Sequence, residues 1–184
     1  MLPDPLHPAV VHFPVVLMFL VPISAAVALW AIRRGTNPLR AWGVPVAFAA
    51  ALSLSAWAAL QTGQGQGESV EKVVSERLIE GHEEAAELFL VLTGVLVAIS
   101  AVGFAKGMTG RAARIVATIG SLAVIGAGYQ VGHSGGELVY TYGAASAYAK
   151  PGGATGTGSG DAAERGQKGE RAEKGERGER EGGR

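Results

Sequence analysis

Four long apolar stretches, rich in Val, Leu, Ala, Ile and Phe, occupy residues 9–32, 41–60, 85–105 and 112–131. Each is close to the ~20 residues that a helix needs to cross ~30 Å of hydrocarbon. In lipid a lone strand would leave its backbone groups unpaired, so the form these runs must take is helical. Pro14, Pro22 and Pro45 fall inside the runs and are tolerated there, each as a possible bend. The pattern predicts an all-α fold, an integral membrane four-helix up-and-down bundle over residues 1–150.

The segments between the runs carry their own periodicity. In "ESVEKVVSERLIE", Val70, Val73, Val74 and Leu78 recur at helical spacing opposite Glu71, Lys72, Glu76 and Arg77, which predicts a short amphipathic helix lying on the outer surface. After the fourth run, "ELVYTYGAASAY" has the tyrosines of an interfacial belt and is expected to fold back against the bundle mouth. Residues 151–184 contain Gly and balanced charge but no aromatic or large aliphatic side chain, so they cannot bury a core and are expected to be a disordered tail. A partial Gly-x-y rhythm at Gly166, Gly169, Gly175 and Gly178 is broken by Ala172 and Glu181 and lacks proline, which argues against a collagen helix.

Composition narrows the chemistry. Of 184 residues 48% are hydrophobic, which favours the membrane class. The chain has no cysteine, excluding disulfides, thiolate metal sites, iron–sulfur clusters and covalently attached haem, and leaving imidazole as the strong ligand. Lys plus Arg and Asp plus Glu both number 16, so net charge gives no reason to expect nucleic-acid binding. The charges are nevertheless segregated. "IRRGTNPLRAW" and "KGMTGRAAR" are basic without an acidic residue, whereas the acids from Asp4 through Glu137 fall on the other connections. By the positive-inside rule both basic loops are cytoplasmic, and the N-terminus, the connection after the second span and the C-terminus lie outside. The N-terminal "MLPDPLHPAV" lacks the basic region and cleavage site of a signal peptide, so the first run is expected to be retained as a span.

That topology gathers all four histidines, His7, His12, His82 and His133, on one side of the membrane. His7 and His12 are separated by five steps of ~100°, so their side chains leave the helix in different directions. His82 is read at the start of the third span, where the helix dipole favours a neutral imidazole and Glu83, Glu84 and Glu87 stand ready to orient it. His133 is read just after the fourth span within "GYQVGHSGGELVY", where Gly128 and Gly132 form a GxxxG step and Gly126, Gly132, Gly135 and Gly136 leave space for a ligand. Trp30 and Trp42 are expected to anchor the inner interface, and Trp57 to pack on a ligand or on the next helix.

The motifs "HPAVVHFP", "TGQGQGE", "HEEAAE" and "HSGGELVY", in that order at the ends of the four spans, resemble a bacterial four-helix membrane domain catalogued as a domain of unknown function. The resemblance runs from about Leu6 to Tyr148. Members of that family are often joined to, or encoded near, cytochrome c domains, which implies a redox setting and a b-type haem held by histidines. Many members carry His where this chain has Tyr142, a departure from the pattern.

The resemblance thus implies a multi-pass protein of the bacterial inner membrane, with periplasmic termini, that transfers electrons through one or two haem b groups ligated by two histidines each. The expected ligand set includes His133 and His82, then His12, with His7 as ligand or supporting partner. Gly132, Gly135 and Gly136 would give the macrocycle room, and Arg77 would meet a propionate or pair with a neighbouring glutamate. Besides the lipid bilayer, the partners implied are a periplasmic cytochrome c or other membrane redox subunits, and quinol. Two other readings stand beside this one. Outward His and Glu could bind zinc, copper or iron without porphyrin, or the chain could be the structural anchor subunit of a larger membrane complex. No nucleotide-binding loop, catalytic carboxylate pair or nucleophile triad is present.

Overall fold

The computed structural model describes residues 6–148, and the expected tail lies outside the described residues. Helices α1 (His7–Val10) and α2 (His12–Arg33) form the first span, and α3 (Pro38–Gln64) the second. After α4 (Gly67–Val70), the third and fourth spans are α5 (Glu76–Val102) and α6 (Gly107–Tyr140). A 3₁₀ turn (Ala144–Tyr148) ends the described chain, and the described residues contain no strand. Four helices are therefore long and apolar enough to cross a membrane.

The short break between α1 and α2 at Val11 is local, since Val11 keeps right-handed helical angles. Pro14 lacks the N–H that would reach back one turn, and one rung of the ladder is missing at this point. Pro22 and Pro45 lie inside α2 and α3 without ending them. Helix ends follow the sequence closely where capping residues exist. Gly35, at φ 95, allows Thr36 N–H to reach Ala31 O and Gly35 N–H to reach Ile32 O, the paired bonds that close α2. Asn37 Oδ1 then accepts from Leu39 N–H at 2.9 Å, with Pro38 in the first turn, and starts α3.

Each span presents a narrow seam of small residues to its neighbours. On α3 the buried positions are Trp42, Pro45, Ala49, Leu52, Ala56 and Ala59, alternating steps of three and four. Ala25 and Ala28 of α2, Thr93 and Ser100 of α5, and Ala117 and Ser121 of α6 complete a thin core. Small side chains let backbones approach closely, and the buried hydroxyls of Thr93 and Ser121 bond back to Leu90 O and Thr118 O. Large apolar side chains such as Phe13, Phe19, Ile23, Leu54, Leu88 and Ile119 point outward and are exposed in the isolated chain. This inverted distribution suits a solvent of lipid.

The packing order is cyclic: α2 against α3, α3 against α5, α5 against α6, and α6 back against α2. The first and third spans are thus diagonal, as are the second and fourth. One end of the bundle carries the basic loops, and the other, the histidine end, carries α1, α4, the start of α5 and the 3₁₀ turn. Trp42 pins the basic end. It is fully buried, its Nε1–H donates to Ser100 O at 2.9 Å, and its indole lies against Gly103, where a side chain would collide with it. Its burial departs from the interfacial anchor expected. Trp30 is 60% exposed beneath Arg34, as an anchor should be, while Trp57 is exposed on the outer face of α3.

Two boundaries differ from the sequence reading. The single amphipathic helix expected around residues 68–80 is divided, because Ser75 adopts an extended conformation that starts α5 anew. The bend lets Val74 join Ile79, Leu138 and Ala144 in a small cap over the bundle end, with Val70 and Leu78 against it. Val70, Val74 and Leu78 are therefore spent on the protein, while Val73 stays exposed. The fourth span also runs on to Tyr140 instead of ending at 131, its last turns held by Leu138 in that cap. The segment after it folds back as expected: Gly143, at φ 72, turns the chain, and Tyr148 Oη donates to Gln66 Oε1 at 3.3 Å.

Candidate functional site

His7 is the first residue of α1 and points inward onto α3, where its Nδ1 lies 2.9 Å from Ala59 O and 3.3 Å from Thr62 Oγ1. Ala59 O can only accept, so Nδ1 carries the proton. Thr62 Oγ1 directs its own hydrogen to the carbonyls of Ala58 and Ala59 and is a second acceptor for it. The neutral imidazole held this way presents a free lone pair at Nε2. The absence of a side chain at Gly63 admits the ring, because a Cβ there would stand 3.1 Å from His7 Cε1.

His82 repeats the arrangement on the other half of the chain. Its Nδ1 is 2.8 Å from Ser134 Oγ, and Ser134 donates its hydrogen to Val131 O at 3.1 Å. With that hydrogen committed, Ser134 accepts from Nδ1–H, and Nε2 again keeps its lone pair. The ring rests on Gly135, where a Cβ would lie 3.0 Å from His82 Cε1. Each helical hairpin therefore docks a histidine from its first helix onto a hydroxyl–glycine pair, Thr62–Gly63 or Ser134–Gly135, on its second.

The two rings meet. Their centroids are 6.5 Å apart with planes at 83°, joining the diagonal spans at the end of the bundle. An imidazole nitrogen binds a metal at about 2 Å, so two rings that shared one ion would have centroids up to roughly 6 Å apart. The separation fits that requirement. Locking the far ring nitrogen through a carbonyl or hydroxyl is the usual way a ligating histidine is oriented.

His12 and His133 are not brought to this contact. His12 is exposed, its Nδ1 hydrogen-bonded to Pro8 O at 2.7 Å, consistent with the different directions expected for His7 and His12. His133 is half exposed, inside α6 rather than beyond its end, tilted against Tyr129 at 5.9 Å and 3.6 Å from Glu137 Oε2. His82 lies well inside α5 instead of at its start, so Ser134 rather than a helix terminus or a glutamate sets its tautomer. Among the glycines, Gly135 is a ring seat, whereas Gly132 and Gly136 have nothing near them. Gly128 serves close packing against Met18 and Phe89. Arg77 is exposed, and among the described residues it forms no ion pair with a neighbouring glutamate.

Thr62, Gly63 and Ser134 were missed as site residues. The signal that could have found them is the matching hydroxyl–glycine dipeptide near the end of each return helix. Among the described residues no group of three His, Asp or Glu side chains is placed to hold a metal ion, so the zinc or iron centre built from clustered His and Glu is not assembled. A two-imidazole donor set is instead what a porphyrin-bound iron requires, because the macrocycle supplies the remaining ligands.

The chain belongs to the family described as predicted membrane protein DUF2231, whose model matches residues 3–147. No curated protein and no solved structure matches it.

Proposed function

We propose that His7 and His82 would together hold one non-covalent haem b and that the protein transfers electrons at this end of the bundle. The observation that carries the reading is the pair of imidazoles 6.5 Å apart, each with Nδ1 engaged and Nε2 free. When bound, the haem would supply a one-electron couple, with the two imidazoles as its protein ligands. The chain's own residues hold and tune the group. Ala59 O and Ser134 Oγ keep the ligating nitrogens unprotonated, Gly63 and Gly135 fix the depth of each ring, and exposed Arg77 is the basic side chain assigned to a propionate. Glu80, Glu83 and Glu84, near His82 on α5, are available to take protons that accompany reduction. One ring contact supports one haem rather than two.

By the positive-inside rule the basic loops face the cytoplasm, and the haem lies toward the periplasmic face of a bacterial inner membrane. A periplasmic cytochrome c or another membrane redox subunit is the partner of suitable chemistry, with quinol as a donor within the bilayer. Titration of the detergent-purified protein with haemin tests the reading. A sharp Soret band and narrow reduced-state α bands are expected, lost in His7→Ala and in His82→Ala while helicity by circular dichroism is kept. An unshifted haemin spectrum with the wild-type protein, or an unchanged one with His82→Ala, overturns it.

A further inference from the structure

The basic end contains a feature that the histidine site does not use. A cleft of about 550 Å³ opens between the α2–α3 and α5–α6 connections. Arg33, Lys106, Arg111 and Arg114 all line it, and no acidic residue does. The acids among residues 6–148 are Glu68, Glu71, Glu76, Glu80, Glu83, Glu84, Glu87 and Glu137, all on the histidine half of the bundle.

Arg114 differs from its neighbours. It is only 8% exposed, and its Nε–H donates to Gly103 O at 2.8 Å, which fixes the guanidinium at the cleft. Gly110 leaves room for it, since a Cβ there would lie 3.2 Å from Arg114 Nη2 and would collide with Ala105 O. A buried cation is costly unless an anion compensates it, and among the described residues no carboxylate pairs with Arg114. Arg33, Lys106 and Arg111 are exposed around it. The remaining walls include Leu39, Phe104 and Ile115, which are 54%, 37% and 42% exposed. One site thus combines a fixed planar donor, three exposed cations and an apolar flank at the end of helices ~40 Å long, the depth at which phosphate headgroups lie.

We propose that this cleft binds an anionic phospholipid, the phosphate held by Arg114, Lys106 and Arg111 and the acyl chains lying along Leu39, Phe104 and Ile115. Guanidinium groups match phosphate geometry through paired N–H donors, and basic pockets between spans suit such headgroups. The apolar flank favours a lipid over a free anion. The inference is independent of haem binding.

Native mass spectrometry of the full chain in detergent, with phosphatidylglycerol and phosphatidylcholine at equal concentration, tests it. Preferential retention of one phosphatidylglycerol is expected, weakened by at least about tenfold in the Lys106→Gln/Arg111→Gln double variant, which loses two charge-assisted contacts. Both side chains are exposed, so this variant folds even if Arg114→Gln does not. Equal retention of the two lipids, or retention unchanged in the double variant, overturns the proposal. Full displacement of the lipid by millimolar inorganic phosphate would make the cleft a free-anion site and overturn it as well.

Discussion

His7 and His82 stand with ring centroids 6.5 Å apart and planes at 83° at one end of the bundle, although they belong to diagonal helices that are not main packing partners. Neither ring reaches the meeting point by chance of a rotamer. Each is tied through Nδ1 to the return helix of its own hairpin, so the contact is built from two preset halves.

The glycine seats give the sharpest structural test. Gly63→Ala and Gly135→Ala put a methyl group 3.1 and 3.0 Å from the respective His Cε1, so each ring must move. Both variants are expected to remain helical and to lose or broaden the low-spin haem spectrum. Gly132→Ala and Gly136→Ala meet nothing within 4 Å and should leave it intact, as optical titration of all four would show.

Ser134→Ala removes the acceptor of His82 Nδ1–H. Loss of such a supporting bond costs about 10–100-fold in metal affinity, and a similar weakening of haem binding is expected. Ser134→Thr, which keeps the hydroxyl, should retain most of it. Equal affinities for the alanine and wild-type proteins would remove Ser134 from the site.

His12→Ala and His133→Ala are expected to leave haem content and the reduced spectrum unchanged, because neither ring touches the His7–His82 pair. If His133→Ala alone abolished binding, the ligand pair would have to be redrawn around α6.

At the opposite end, Trp42→Phe deletes the Nε1–H donor to Ser100 O and should cost about 1 kcal/mol. Trp42→Ala also empties a fully buried space and should cost about 3–5 kcal/mol. Unfolding in detergent, followed by circular dichroism against sodium dodecyl sulfate, measures both.

The four spans were legible because hydrocarbon imposes a length and a composition on any helix that crosses it. The split at Ser75 was not legible, since Val70, Val73, Val74 and Leu78 keep the same spacing whether one helix or two carries them. Only the cap formed with Leu138 and Ala144, distant in sequence, decides between these alternatives. The histidine end was visible as a gathering of imidazoles, and the directions of His7 and His12 followed from helix geometry. His133 stood out because glycines surround it, yet a glycine matters only if something lies against it. Gly135 receives the His82 ring while Gly132 and Gly136 receive nothing, a distinction of helix face that hydropathy does not encode.

Trp42 fastens the two hairpins to each other at one extremity, through a bond that needs no cofactor. At the other extremity, two imidazoles keyed within separate hairpins confront each other. A metal gripped there would act as a removable clasp on a hinged pair, so loading and emptying the site should change how far that mouth can splay while the tryptophan end stays shut.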